Sequence, residues 1–181
     1  MPSVNGIRLF LYVILWLFSA VLLGLTAARL HYTTHLPLGD PLNNGHNFYD
    51  PIVAELLASS ALTLLWAPWV IHVIHRTYDY GLVSSFAGEI LGLFGLFVMW
   101  LVGAAIATSF WGSLEWCHEF QACRLLTALV AFAWMGFILL FVLLIISVMF
   151  SIANRAYTHP LHGRYDPRAS AYAPNVSERR V

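Results

Sequence analysis

Hydrophobic residues occur in four long continuous runs that are separated by shorter polar stretches. None of the runs shows the two-residue alternation of a strand, and each exceeds the roughly 20 helical residues that cross a bilayer. The runs predict helices over residues 7–30, 51–76, 82–110 and 123–153. The pattern therefore predicts an all-α integral membrane protein in which residues 1–153 form a four-transmembrane-helix bundle.

The composition supports this assignment, because 60% of the 181 residues are hydrophobic and only 10% are charged. A soluble domain of this length would need many more charged residues for its surface. The formal net charge is zero, so nothing in the sequence suggests a nucleic-acid partner held by electrostatic attraction. Residues 154–181 are polar and have no apolar period, so they predict a flexible tail.

The arginines are distributed unequally along the chain, which contains no lysine. With four helices, both termini and the second loop lie on the same side of the membrane. That side would carry Arg8, Arg76, Arg155, Arg164, Arg168, Arg179 and Arg180. The opposite side would carry only Arg29 and Arg124. The positive-inside rule therefore predicts cytosolic termini, with the first and third loops facing the exterior or a lumen.

The two cysteines, Cys117 and Cys123, lie six positions apart in the third loop, within the stretch EWCHEFQAC. On the non-cytosolic side they would meet an oxidising environment, in which a disulfide is the expected state. Such a bond would tie the start of the fourth helix to the preceding turn. Two free thiols and a redox pair are the alternatives. A thiol oxidase that passes electrons to a quinone would need a second cysteine pair, which the chain lacks.

Histidines on the same side raise the question of a metal site. His31 and His35 are one helical turn apart, and His46 and His118 lie in the first and third loops. Two histidines at this spacing can share a zinc ion, to which another loop could add a ligand. No dense ligand motif joins the four positions, so the sequence predicts neither a metal nor a cofactor, and binding of a metal there stays open.

Two acids, Glu55 and Glu89, lie within the predicted helices, and these positions are the first place to look for transport chemistry. Arg29 and Glu55 lie at similar depth near the outer side, which predicts an interfacial ion pair. Glu89 lies two turns into the third helix near the cytosolic side, where Arg8 is a candidate partner. The other cations within reach of Glu89 are His72 and Arg76. We interpret Glu55 and Glu89 as members of structural ion pairs.

Small residues recur at four-residue spacing in two of the predicted helices, which is typical of close helix contacts in membranes. The positions in the third helix are Gly88, Gly92, Gly103 and Ala107. The positions in the first helix are Ala20, Gly24 and Ala28. We predict that both stripes pack inside the bundle, with self-association as the alternative. The tryptophans predicted to lie at the interface or to face lipid are Trp66, Trp69, Trp100 and Trp111.

The third run, GEILGLFGLFVMWLVGAAIAT, resembles the third helix of fungal MARVEL-domain proteins. In that helix an early acid is followed by an aromatic-rich segment that ends in Trp-Leu and by small residues. The fourth run, CRLLTALVAFAWMGFILLFVLLIISV, is similar to the cysteine-led last helix of the same family. The resemblance covers residues 5–153. It implies a four-helix membrane module of sterol-rich membranes, vesicle trafficking and membrane subdomains, without catalysis or transferable active-site residues.

The sequence thus favours a non-enzymatic membrane-organising or vesicle-trafficking tetraspan of the plasma membrane or endomembrane vesicles. Its partners would be membrane lipids, other membrane proteins or further copies of the chain. The alternative is a small transporter, channel or proton-coupled subunit that uses Glu55 and Glu89. A third hypothesis is a metalloprotein or membrane enzyme at the outer histidines. A continuous polar path from Glu55 to Glu89 would favour transport, whereas two clusters separated by apolar layers would favour a scaffold.

Overall fold

The structure, a computed structural model, describes residues 4–36, 46–76, 86–112 and 121–154, which contain four α-helices and no strand. The helices are α1 (Val4–Thr34), α2 (Pro51–Arg76), α3 (Phe86–Trp111) and α4 (Gln121–Asn154). Each contains a stretch of 25 to 32 residues that is long and apolar enough to cross a bilayer. The prediction of an all-α, multi-pass membrane chain is therefore confirmed. Beyond Asn154, the predicted tail lies outside the described residues.

The helices form a closed ring in which each contacts the next in sequence and α4 returns to α1. Consecutive helices run in opposite directions, since Phe86 at the start of α3 packs against Phe150 near the end of α4, with ring centroids 5.2 Å apart. We call the end at which α1 and α3 begin the Glu89 end. We call the other end, at which α2 and α4 begin, the Glu55 end.

The buried faces of α1 and α3 follow a seven-residue period. In α1 the buried positions are Arg8, Tyr12, Leu15, Ser19, Leu22, Thr26, Arg29 and Thr33. In α3 the corresponding positions are Phe86, Glu89, Leu93, Leu96, Trp100, Gly103 and Ala107. Steps of three and four residues alternate in both series, which is the pattern of left-handed helix packing. The charged residues at the helix ends thus belong to the same seams as the apolar core.

The small-residue stripe of α1 does not pack inside the bundle. Ala20, Gly24 and Ala28 all face the outer surface, and a Cβ atom added at Gly24 would meet nothing within 4 Å. The prediction for these three residues is therefore wrong. The physical reason is that the opposite face of α1 carries two arginines and several hydroxyl groups, which are costly to expose to lipid. Self-association through this stripe stays a prediction.

Two of the small residues of α3, unlike those of α1, lie at a contact with another helix. A Cβ atom at Gly92 would overlap the indole of Trp66, and one at Gly103 would overlap Leu56 and the carboxylate of Glu55. These two glycines therefore allow α2 to approach α3 closely. The other two members of the stripe are Ala107, which is fully buried, and Gly88, which is half-buried.

Trp100 is fully buried at the centre of the bundle, so the predicted interfacial or lipid-facing position is wrong for this residue. Its ring fills the space over Gly136 of α4, where an added Cβ would overlap the indole. Its Nε1 donates a hydrogen bond to the Thr63 hydroxyl of α2 at 3.0 Å. One side chain of α3 thus contacts both neighbouring helices, and Gly136 is a packing residue that the sequence analysis missed.

Candidate functional site

At the Glu89 end, a buried cluster of polar side chains joins α1 to α3. Glu89 Oε2 accepts a hydrogen bond from Arg8 Nη2 at 2.5 Å, and Glu89 Oε1 accepts one from the Tyr12 hydroxyl at 2.6 Å. The ring of Phe86 lies 4.9 Å from Arg8 Cζ, within the range of a cation–π contact. All four side chains are fully buried, so the opposite charges meet inside the bundle.

This cluster joins two helices that lie on opposite sides of the four-helix ring, because α1 and α3 are not neighbours in that ring. Both carboxylate oxygens of Glu89 accept hydrogen bonds from α1, which fixes the rotation of one helix relative to the other. Of the three cations in the predicted set, Arg8 is the one placed against Glu89, since His72 is exposed. The side chain of Arg76 lies outside the described residues. The geometry is that of a structural ion pair.

At the Glu55 end, Arg29 pairs with Asp50 and not with Glu55, so the predicted Arg29–Glu55 pair is wrong. Arg29 Nη2 lies 3.5 Å from Asp50 Oδ2, and the ring of Phe48 lies 5.8 Å from Arg29 Cζ. The backbone N–H of Phe48 donates to the Thr33 carbonyl at 3.0 Å. This contact holds the segment before α2 against the end of α1, which brings Asp50 to Arg29.

Glu55 points instead toward α3. Its Oε1 accepts a hydrogen bond from the Ser59 hydroxyl at 2.7 Å, and its Oε2 lies against Gly103. That second oxygen is buried and accepts no hydrogen bond from the described part of the chain. Among the described residues, ion pairs connect Glu89 and Asp50 to arginines, but none connects Glu55.

A groove between α2 and α3 opens beside this carboxylate, with a volume of about 420 Å³. Its lining residues are Asp50, Pro51, Ile52, Glu55, Val102, Ile106, Phe110 and Trp111. Three of the α3 residues, Val102, Ile106 and Phe110, are exposed on the outer surface of the bundle. A concave, mainly apolar site with a few polar groups is the usual form of a small-molecule site. We therefore treat this groove as the candidate functional site.

The polar groups at the two ends are not connected through the described part of the bundle. From Glu55, the chain of contacts continues through Ser59, whose carbonyl accepts from the Thr63 hydroxyl at 2.7 Å. Thr63 accepts from the Trp100 indole, which is only a donor, so a proton relay ends there. Trp100 is 11 residues from Glu89, or about 16 Å along α3. The buried apolar residues between these layers are Ala67, Val70, Leu93, Leu96 and Leu140.

Two of the three described outer histidines, His31 and His35, form a stacked pair, and the third, His46, is exposed. The rings of His31 and His35 have centroids 4.7 Å apart, and His35 Nδ1 lies 3.2 Å from the His31 carbonyl oxygen. Among the described residues, no group of three potential ligands could hold a metal ion. His118, one of the four predicted histidines, lies outside the described residues, so metal binding that includes it stays open.

The proposed cysteine pair falls only partly within the described residues. Cys123 is half-buried in the first turn of α4, and the described part of the chain contains no free cysteine. Cys117 lies outside the described residues. The pairing therefore stays a prediction.

We expect the unreduced protein to have a mass two hydrogens below that of the reduced protein, with Cys117 and Cys123 in one linked peptide. The double Cys→Ser variant should lose at most about 3 kcal/mol of stability, because the closed loop is short. In intact cells, a membrane-impermeant maleimide should label Cys117 in the Cys123→Ser variant but not in the wild type. Labelling of the unreduced wild type would contradict the bond, and failure to label the variant would contradict the outer location.

The described residues define a multi-pass α-helical membrane protein with a polar cluster at each end of the bundle and an acid-containing groove between α2 and α3. No protein-family model, curated protein or solved structure matches the chain. The function of the chain is therefore inferred from the geometry of the site.

Proposed function

We propose that the chain is a non-enzymatic tetraspan that organises membranes or accompanies vesicles, acting through helix packing and contacts with lipids and other membrane proteins. The observation that carries this proposal is the separation of the two polar clusters. Glu89 is neutralised within the bundle by Arg8, and apolar layers separate it from Glu55. The resemblance of the third and fourth runs to fungal MARVEL-domain proteins points in the same direction.

The lengths of the helices support a location in a thick membrane. The candidate spans of 25 to 32 residues correspond to about 38–48 Å of helix, compared with about 30 Å for a typical hydrocarbon core. Long spans tilt in a thin bilayer and are favoured in thick, sterol- and sphingolipid-rich membranes. We therefore propose the plasma membrane or endomembrane vesicles as its location, with both termini cytosolic as the arginine distribution predicts.

One observation favours the transport alternative. Glu55 has a buried oxygen without a hydrogen bond from the described residues, and intramembrane acids of this kind often handle protons or ions. A transporter would also need a route past the apolar layer between Thr63 and Glu89, so the scaffold is the better-supported function.

We expect liposomes that contain the wild type, Glu55→Gln or Glu89→Gln protein to leak protons and potassium no faster than protein-free liposomes. In giant vesicles with coexisting thick and thin lipid phases, the labelled protein should concentrate in the thick phase, because its spans match that phase better. A wild-type flux that Glu55→Gln abolishes would overturn the scaffold in favour of transport. Even distribution between the phases without any flux would contradict the proposed role in membrane organisation.

A further inference from the structure

We infer that the groove between α2 and α3 binds a single-chain membrane lipid with a primary ammonium head and no phosphate, in short a long-chain amine. The ammonium would lie against Glu55, and the alkyl chain would follow the exposed side of α3. This inference deepens the proposed function by naming a lipid class, and it rests on that function only in placing the groove within a bilayer.

The charges around the groove favour a cationic head. The carboxylates that the described residues contribute to its wall are those of Asp50 and Glu55. Asp50 is paired with Arg29, whereas the Oε2 atom of Glu55 is buried without a hydrogen-bond donor from the described residues. A buried carboxylate is costly unless it is paired and hydrogen-bonded. An ammonium supplies both the charge and up to three N–H donors, so it complements the one acid that the described chain leaves uncompensated.

The same charges disfavour a phospholipid. The phosphate of an amino-phospholipid would lie close to its ammonium and would therefore approach Asp50 and Glu55, where like charges repel. Arg29, a cation near the groove, already contacts Asp50 and lines a different cavity, between α1 and α4. An ammonium head without a phosphate avoids this repulsion.

The apolar wall suits one alkyl chain. Leu91, Val98 and Val102 lie on one face of α3, at steps of seven and four residues, and all three are exposed on the outer surface. These side chains form a track of about 16 Å along α3. The track begins at Val102, which lines the groove beside Glu55, and runs toward the Glu89 end, so an alkyl chain on it extends into the hydrocarbon in the direction of the lipid tails.

The test is native mass spectrometry of the full-length protein with octadecylamine, octadecan-1-ol or dioleoyl-phosphatidylethanolamine. The wild type should bind one octadecylamine at least tenfold more tightly than either of the other two lipids. Glu55→Gln should remove most of this preference, because an amide keeps the shape but loses the charge. Val98→Trp should weaken amine binding at least tenfold by blocking the track, and the matched variant Ile138→Trp, on the exposed face of α4, should not.

Equal binding of the amine and the alcohol would overturn the inference, as would tighter binding of the phospholipid. Unchanged amine binding in Glu55→Gln or in Val98→Trp would show that the amine binds elsewhere, and would also overturn it. The Val98→Trp arm keeps the test valid if Glu55→Gln does not fold. A negative result here would leave the flux and phase-partition results unaffected, so failure of this inference is distinguishable from failure of the scaffold proposal.

Discussion

Replacement of Glu89 by leucine is expected to lower the free energy of unfolding by about 3–5 kcal/mol, the usual cost of removing one member of a buried ion pair. Arg8 would remain in the interior without the carboxylate that now compensates its charge. This loss is a large fraction of the roughly 5–15 kcal/mol that stabilises a typical folded domain. The measurement is thermal or SDS-induced unfolding of the purified protein in a single detergent.

Three further variants separate charge from packing in this cluster. Glu89→Gln keeps a hydrogen-bond acceptor and should cost about 1–3 kcal/mol. Tyr12→Phe removes one hydrogen bond and should cost about 0.6 kcal/mol, the average for such bonds in membranes. The double variant Arg8→Leu with Glu89→Leu should be more stable than Glu89→Leu alone, because it leaves no buried charge. Additive losses in the double variant would show that the two residues are not coupled.

The helices could be predicted from the sequence because a bilayer imposes a strict requirement on each span. Every backbone polar group within the hydrocarbon must be bonded inside the protein, so a long apolar run is sufficient evidence for a helix. The partners of individual side chains depend on finer detail. Arg29 pairs with Asp50 because the segment before α2 folds back onto α1, and hydrophobic periodicity carries no information about that segment.

The buried face of α1 is marked by its polar residues and not by the spacing of its small residues. Arg8, Ser19 and Arg29 belong to one series of alternating three- and four-residue steps, which polar residues mark more clearly than glycine and alanine do. In a membrane helix the polar face has the stronger reason to lie inside. The orientation of Ala20, Gly24 and Ala28 toward the outer surface follows directly from this preference.

The position of Trp100 was difficult to predict because tryptophan is enriched at membrane interfaces. Its burial depends on Gly136, which leaves space for the ring on the facing helix, and on Thr63, which accepts the indole hydrogen bond. Both residues belong to other helices, so no pattern within α3 reveals them. The candidate groove also depends on two helices, since α2 supplies the acid and α3 supplies most of the apolar wall.

Replacement of Gly136 by alanine is expected to destabilise the bundle, although alanine is the better helix former. The new Cβ would overlap the ring of Trp100, and the ring cannot shift freely because Thr63 holds its Nε1. Overpacking of a core typically costs about 1–3 kcal/mol. Gly95 provides the matched control, because a Cβ there meets nothing within 4 Å and alanine should add up to about 1 kcal/mol of stability.

The stabilities of the two alanine variants should therefore change in opposite directions from the wild type and differ from each other by about 1–4 kcal/mol, in unfolding measurements under identical conditions. Trp100→Phe in the Gly136→Ala background should recover part of the loss, because the smaller ring leaves room for the methyl group. In the wild-type background the same change should be destabilising, since it creates a cavity and leaves Thr63 without the indole donor. A change in stability that reverses its sign between the two backgrounds is expected for residues in direct contact. If Trp100→Phe changed the stability equally in both backgrounds, the packing of Trp100 on Gly136 would be contradicted.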